Sequence, residues 1–282
     1  MQPRGPDSSA PGHNPLHRDS TPGKIGPVSV LNVHLFGPDD GRPVVALHGV
    51  TGHARRWGVL AEQLPELRLV AVDLRGHGRS PKTPPWGFEQ HVADVLAVMD
   101  DHGLERAPLI GHSFGGAIAL HVVKTAPDRV EKLVLVDPAL GLDPNDVLQT
   151  ATEACAGESY PDKAAARVVR AERWAGIADA LVDAELEQNL VQGEDGRWRY
   201  LWSTPAVVAA WSEMARPPIL PPPDLPTLLL PAAKVDYVNP AWVERVRAAL
   251  GERLVVHVMD TAHMVYLEQP AETAAKVREF LG

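Results

Sequence analysis

The sequence has little of what several common kinds of site require. Among its 282 residues there is one cysteine, Cys155, which excludes an internal disulfide and leaves no cysteine cluster for a structural zinc ion. No apolar run reaches the ~18 residues of a membrane-spanning helix, and the first residues show no apolar segment of the kind that directs secretion. The formal net charge of −9 argues against nucleic acids and anionic membranes as partners. We therefore expect an acidic cytoplasmic protein that holds no structural metal ion.

Short apolar runs alternate with helical patterns along most of the chain. The runs lack polar alternation, which is typical of strands buried on both faces of a parallel sheet. Segments with helical spacing lie between them, and this order predicts a mostly parallel sheet covered by helices on both faces. The predicted strands are residues 28–36, 44–47, 69–72, 107–110, 133–136, 227–230 and 254–256, and the predicted helices are residues 57–64, 92–102, 117–126, 241–250 and 271–281.

Two segments fall outside this alternation. Residues 1–24 are rich in Pro, Gly, Ser and Asp with almost no large apolar side chains, which predicts a flexible tail. Residues 142–223 show no strong strand signal and end in a proline-rich stretch. This second segment is interpreted as a helical subdomain with aromatic packing, as a lid whose inner face offers an apolar pocket, or as both. It carries four of the seven tryptophans, Trp174, Trp198, Trp202 and Trp211.

The stretch LIGHSFGGA, residues 109–117, surrounds one serine with glycines directly after a predicted strand. Glycine is needed where the backbone bends sharply or where another segment packs closely. Gly111 and Gly115 stand two residues to either side of Ser113, and a helical pattern follows. Gly-x-Ser-x-Gly between a strand and a helix predicts a nucleophile elbow, a strained turn that projects the serine hydroxyl above the sheet.

Two further motifs accompany the elbow. LHGVTG, residues 47–52, and DLRGHGRS, residues 73–80, each follow a predicted buried strand. With these motifs the chain from about residue 25 onward resembles the α/β-hydrolase fold family, in particular its branch of serine esterases and lid-bearing, epoxide-hydrolase-like members. The resemblance implies an α/β fold with a mostly parallel eight-stranded sheet, a core of residues 25–141 and 224–282, and a helical lid of residues 142–223. It also implies catalysis without a metal, nucleotide or flavin cofactor.

A serine hydroxyl becomes a good nucleophile only beside a base, itself oriented by a carboxylate. The family places them in the order serine, acid, histidine. His263 lies in TAHMVYLEQP, residues 261–270, which resembles the family's ending, with Ala262 in place of the usual glycine. We expect His263 to be the base, since His257 falls inside a strand pattern and His112 is interpreted as a pocket-shaping or core residue.

Two aspartates compete for the role of the acid. Asp236 follows the predicted strand of residues 227–230 in a loop that resembles the family's D-x-x-x-P sequence. Asp137 ends the strand of residues 133–136, where some members place their acid instead. We expect Asp236 to be the catalytic acid, with Asp137 as the alternative.

The oxyanion hole of this family is built from backbone N–H groups, which leave almost no trace in a sequence. By resemblance, the donors are the N–H groups of Phe114, directly after the serine, and of Val50, directly after His48 and Gly49. We expect His48 to order that loop through hydrogen bonds. The helix that starts at Phe114 adds the positive end of its dipole near the developing charge.

The resemblance also bears on the reaction. Haloalkane dehalogenases and epoxide hydrolases carry an aspartate where this chain has Ser113, which argues against those activities. Hydrolases of carbon–carbon bonds in meta-cleavage products usually carry a tryptophan shortly after the histidine, where this chain has Met264, Val265 and Tyr266. We expect a serine hydrolase that cleaves a small or medium, apolar carboxylic ester through an acyl-enzyme. The alternatives are a carbon–carbon hydrolase, a lactonase, a cofactor-free perhydrolase or, more remotely, a slow-turnover small-molecule receptor.

Overall fold

A computed structural model describes residues 31–282 of the chain. The expected flexible tail of residues 1–24 lies outside the described residues. Residues 31–282 form nine strands and ten helices. The strands are β1 (Val33–Phe36), β2 (Arg42–Leu47), β3 (Leu67–Val72), β4 (Ala107–His112), β5 (Val130–Val136), β6 (Leu190–Gln192), β7 (Trp198–Tyr200), β8 (Thr227–Leu230) and β9 (Leu254–Val256).

The ten helices of residues 31–282 lie between the strands or after the last one. They are α1 (Gly58–Ala61), α2 (Phe88–Asp101), α3 (Phe114–Thr125), α4 (Pro144–Cys155), α5 (Lys163–Arg173), α6 (Asp179–Asn189), α7 (Thr204–Met214), α8 (Pro240–Leu250), α9 (Val265–Glu268) and α10 (Pro270–Leu281). Short 3-10 helices add Ala54–Trp57, Pro127–Arg129 and Gly251–Arg253.

One sheet of seven strands forms the centre of the molecule, in the order β1-β3-β2-β4-β5-β8-β9. Strand β1 is antiparallel to β3, and all other neighbours are parallel. The predicted mostly parallel sheet is therefore confirmed, with seven strands in residues 31–282 instead of the expected eight.

Helices on both faces explain why the central strands are apolar without alternation. Successive side chains of a strand point to opposite faces. In β2, Val45 and Leu47 pack into one apolar cluster, whereas Val44 and Ala46 pack into a second. Both faces are buried, so no polar side chain is tolerated along the middle of the strand.

Residues 142–223 lie between β5 and β8 and contain α4 to α7. They also hold an antiparallel hairpin of β6 and β7, in which Val191 pairs with Arg199. Sequence reasoning missed this hairpin, because three-residue strands are too short to show a periodic pattern. No helix in residues 31–282 combines the length and the apolar composition needed to cross a membrane.

Candidate active site

Ser113 stands on the turn between β4 and α3. Its φ of 54° and ψ of −120° lie outside the regions that residues with a side chain ordinarily adopt. The neighbouring glycines are required by space. A Cβ on Gly111 would lie 2.4 Å from the carbonyl oxygen of Gly115, and a Cβ on Gly115 would lie 2.2 Å from that of Leu47. The glycines thus let helix α3 start directly against two strands, with Ser113 held between them.

His263 forms a close pair with Asp137. The ring Nδ1 of His263 lies 2.5 Å from Oδ2 of Asp137, and an ionised carboxylate can only accept, so the ring donates. Asp137 directly follows β5 and is fully buried. Its other oxygen accepts the backbone N–H of Ala232 at 3.0 Å. In the neutral ring, this tautomer leaves Nε2 of His263 free to act as a base.

Asp236 does not occupy the position expected of the acid. Its side chain is exposed in the loop after β8, and no hydrogen bond joins it to His263 within residues 31–282. The loop is held by a backbone hydrogen bond, in which the N–H of Lys234 donates to the carbonyl oxygen of Thr261 at 3.0 Å. The expected pairing of His263 with Asp236 is therefore corrected to Asp137, which is buried at a strand end, whereas Asp236 projects from a longer loop into solvent.

The ring of His48 orders the loop that follows β2. Its Nε2 accepts the backbone N–H of Leu74 at 3.0 Å, which places the ring proton on Nδ1, 2.7 Å from the carbonyl oxygen of Gly49. Burial lowers the pKa of His48 well below its ordinary value, so the ring stays neutral. A Cβ on Gly49 would lie 2.9 Å from Cβ of Ser113. Only glycine lets this loop pass so close to the serine.

The two backbone donors expected from the sequence lie on either side of this close approach. Neither the N–H of Val50 nor that of Phe114 takes part in the backbone hydrogen bonds found within residues 31–282. Phe114 is the first residue of α3, where N–H groups have no acceptor inside the helix. Val50 follows Gly49 in the loop held by His48. Both groups are thus available to an oxygen atom near Ser113.

Backbone strain is concentrated at this site. Among the non-glycine residues of the described chain, those with positive φ are Thr51 at 61°, Ser113 at 54° and Asp137 at 40°. Such conformations cost of order 1–3 kcal/mol each and persist where the surrounding structure holds them in place. The loop after β2, the elbow and the end of β5 each contribute one of the three.

The remaining histidines that the sequence singled out have other surroundings. His112 is buried, and its Nε2 donates to the carbonyl oxygen of His263 at 2.8 Å, with the two rings 4.7 Å apart. It therefore holds the backbone of His263 beside the elbow. His257 lies on the surface, 2.8 Å from Glu272. No group of three or more His, Cys, Asp or Glu side chains in the described chain is arranged to hold a metal ion.

The DLRGHGRS turn, residues 73–80, holds the loop after β2 in place through hydrogen bonds. The carboxylate of Asp73 accepts the backbone N–H groups of Ala54 at 2.7 Å and Arg79 at 2.9 Å. A Cβ on Gly78 would lie 2.2 Å from that carboxylate, so the turn closes only around a glycine. Leu74, which donates to His48, belongs to the same turn. The motif therefore serves the site through packing and hydrogen bonds.

Two cavities are lined by residues near the site, and Trp211 of α7 lines both. The larger has a volume of about 710 Å³ and includes Tyr237, whose ring lies 4.4 Å from that of His263. The smaller has a volume of about 390 Å³ and includes Trp202 and Thr51 of the loop after β2. Trp211 therefore stands between a cavity on the histidine side and a cavity on the loop side.

Sequence reasoning missed a buried cluster in which Arg56 follows the loop after β2 and Glu185 lies on α6. Arg56 Nε lies 2.8 Å from Glu185 Oε2, although the two residues are 129 positions apart in the chain. Trp174 covers this pair, with the guanidinium of Arg56 5.0 Å from the centre of its ring. No local motif predicts this ion pair, because its two residues belong to different elements that come together only in the folded chain.

A strained serine follows a central parallel strand, and the residue before it hydrogen-bonds the backbone of a histidine that pairs with a buried carboxylate. This combination is typical of the class of α/β folds organised around a nucleophile elbow. The sequence model described as "Alpha/beta hydrolase family" matches residues 44–276. The chain belongs to the alpha/beta hydrolase family.

Individual relatives agree with this assignment. The chain is 40% identical over 258 residues to "Lipase LipV" of Mycobacterium tuberculosis, covering 89% of this chain and 98% of that protein. It is 26% identical over 250 residues to "Esterase YbfF" of Escherichia coli, covering 85% and 93%. Among solved structures, "Marine microorganism esterase" superposes with a TM-score of 0.73 at 23% identity, covering 89% of this chain and 99% of that one. This structural likeness supports the fold.

Proposed function

We propose that this chain is a serine hydrolase that cleaves small or medium carboxylic esters through an acyl-enzyme, with Ser113, His263 and Asp137 as its catalytic residues. One observation carries the proposal: the ring of His263 lies 2.5 Å from the buried carboxylate of Asp137, and His112, next to the elbow serine, hydrogen-bonds the backbone of His263. The similarity to proteins named lipase and esterase supports an ester as the substrate.

In the first half of the cycle, Ser113 Oγ attacks the ester carbonyl carbon and His263 Nε2 takes the hydroxyl proton. The ring is then a cation, which the buried carboxylate of Asp137 stabilises and keeps in the correct orientation. Collapse of the tetrahedral intermediate breaks the bond to the alcohol oxygen. His263 returns its proton to that oxygen, so the alcohol leaves and Ser113 carries the acyl group.

In the second half, water takes the place of the alcohol. His263 removes a proton from the water, whose oxygen attacks the acyl carbon, and collapse returns that proton to Ser113 Oγ. The products are the carboxylic acid and the free enzyme. In both halves the negative charge on the carbonyl oxygen is stabilised by the N–H groups of Val50 and Phe114, each typically worth about 10²–10³ in rate.

The cavities favour a neutral substrate of modest size. Asp143, Asp146 and Asp236 line the larger cavity, and no lysine or arginine of the described chain lines it. An anionic substrate would meet three carboxylates of the same sign there. A volume of about 710 Å³ falls within the range of pockets that hold small molecules. We therefore propose that the substrates are uncharged esters and not esters that carry a free carboxylate.

We also propose that residues 142–223 act as a lid over the site. Helix α7 supplies Trp211, which lines both the cavity that includes Tyr237 and the cavity that includes Thr51. Pairing of Trp202 with His77 ties the insertion to the turn that supports His48. These contacts support the proposal that the segment shapes the substrate pocket as well as covering it.

A series of p-nitrophenyl esters from acetate to octanoate tests the function. The unmodified protein should turn over at least one of them, and Ser113→Ala should lower kcat by at least about 10⁴-fold, as expected for a catalytic serine. The melting temperature of the variant should stay within a few degrees of the parent, which excludes unfolding as the cause. Turnover that survives in Ser113→Ala would remove this serine from the mechanism.

A further inference from the structure

A buried ionic cluster joins the insertion to the core. The guanidinium of Arg56 donates to both oxygens of Glu185, from Nε at 2.8 Å and from Nη2 at 2.7 Å. His53 Nε2 lies 2.9 Å from the same carboxylate, and Asn189 adds a contact at 3.2 Å. The side chains of Arg56 and Glu185 are 5% and 1% exposed, so water takes almost no part in this contact.

Arg56 has a second acceptor on the other side. The Nη2 that binds Glu185 also donates to the carbonyl oxygen of Thr51 at 3.0 Å. Thr51 is the strained residue of the loop after β2, with φ of 61°, and that loop also carries Val50, the proposed oxyanion donor. One guanidinium therefore connects helix α6 of the insertion to the backbone of that loop.

The contact continues through two peptide groups to the proposed oxyanion donor. The carbonyl of Thr51 shares its peptide group with the N–H of Gly52, which donates to the carbonyl oxygen of Gly49 at 2.9 Å. The carbonyl of Gly49 in turn shares its peptide group with the N–H of Val50. Because a peptide group is planar, holding the Thr51 carbonyl limits the rotation of Gly52 and, through that hydrogen bond, of the Val50 N–H.

Charge strengthens this connection. Burial alone would raise the pKa of Glu185, but Arg56 and His53 outweigh it and hold the pKa well below its ordinary value. Burial likewise opposes the charge of Arg56, and the carboxylate of Glu185 outweighs it, so the pKa of Arg56 is raised. Both groups are ionised at neutral pH. Removing one would leave a buried charge unpaired, and the Thr51 carbonyl would lose its firmly held donor.

We propose that Glu185 and Arg56 are positioning residues for the oxyanion hole: Glu185 of the insertion fixes Arg56, and Arg56 fixes the peptide groups that aim the Val50 N–H. This inference rests on the proposed ester hydrolysis. It means that the insertion contributes to the rate of the chemical step as well as to the binding of substrate.

The test is Glu185→Gln, which keeps the volume of the side chain and removes its charge. The oxyanion forms only in the transition state, so kcat for a p-nitrophenyl ester should fall about 10- to 100-fold while KM stays within about twofold. This is less than the 10²–10³ expected when a donor is removed altogether. Affinity for an aryl trifluoromethyl ketone, whose adduct with serine carries an oxyanion, should fall by the same factor as kcat.

A matched control separates positioning from general destabilisation. Val246 is fully buried on α8, in the part of the core beside the edge strand β9. Val246→Ala should lower the melting temperature with kcat within about twofold of the parent. Arg56→Lys is the second variant, since lysine keeps the positive charge but lacks the fork that reaches Thr51 and Glu185 together. It should also lose kcat.

The two proposals fail in different ways. If Glu185→Gln and Arg56→Lys keep the parental kcat and ketone affinity while they lose thermal stability as Val246→Ala does, the positioning role is rejected. A rise in KM without a loss of kcat rejects it as well. Absence of ester turnover in the unmodified protein would instead contradict the proposed function.

Discussion

Asp137 and Asp236 are the same side chain in different surroundings. Asp137 is fully buried and accepts the ring N–H of His263 and the backbone N–H of Ala232. Asp236 is exposed, so water competes for its carboxylate and screens its attraction to a cation. A carboxylate that must hold an imidazole in one orientation performs better where solvent does not compete and where its second oxygen is fixed.

At this scale the two aspartates can be compared directly. Asp137→Asn should lower kcat for ester hydrolysis by about 10⁴-fold, because an amide favours the wrong tautomer of the histidine. Asp236→Asn should keep kcat within about tenfold of the parent, with any change in KM arising from the cavity that Asp236 lines. Steady-state kinetics of the two variants, each checked by circular dichroism, measures the difference. A severe loss in Asp236→Asn alone would restore that residue as the acid.

A structural feature can be predicted from the sequence when a short stretch of residues determines it. Ser113 and the glycines around it form a short motif whose spacing reflects a single turn, so the elbow could be predicted. The aspartate that pairs with His263 could not be identified, because both aspartates follow predicted strands and the paths of the two loops depend on tertiary contacts. The pairing of Arg56 with Glu185 had no sequence signal at all, since it joins a loop of the core to a helix of the insertion.

At the scale of elements, helix α7 lies between the two cavities of the candidate site. Trp211 is half-buried, packs against the core and lines both cavities. By contrast, Trp198 belongs to the hairpin of β6 and β7 and lines neither of these cavities. The four tryptophans of the insertion therefore differ in placement, and of these four only Trp202 and Trp211 line one of the two cavities.

Removal of the Trp211 side chain should merge the two cavities. We expect Trp211→Ala to shift the preference for acyl-chain length toward longer esters, seen as a change in the ratio of kcat/KM between octanoate and acetate. Trp198→Ala is the control, and it should lower the melting temperature with little change in that ratio. Equal chain-length profiles for both variants and the parent would contradict a role of α7 in shaping the pocket.

At the scale of the whole molecule, buried neutral histidines make stability depend on pH. Burial lowers the pKa values of His48, His77 and His112 well below the ordinary value, and that of His91 from 6.5 to about 4. In the unfolded chain these rings regain pKa values near 6.5. The unfolded state therefore takes up protons first as the pH falls, and the folded state loses stability in that range.

The free energy of unfolding should thus be nearly constant above pH 6.5 with respect to these groups and should fall between pH 6.5 and 4. Each histidine contributes up to about 1.4 kcal/mol per pH unit. Urea unfolding at pH 7.5, 6.0 and 5.0 measures the slope, and His91→Gln should reduce it by about one proton. Stability that rises on acidification through this range would contradict the assignment of neutral buried rings.

The central claim is that Ser113 is the nucleophile, activated by His263 and Asp137. The most direct measurement is peptide mass spectrometry after reaction with a fluorophosphonate, which labels only an activated serine. We predict a single phosphonate adduct on the peptide that contains Ser113, formed quickly in the parent and in Asp236→Asn, and at a strongly reduced rate in Asp137→Asn. An adduct on any other residue, or equal labelling rates in Asp137→Asn and the parent, would contradict the account.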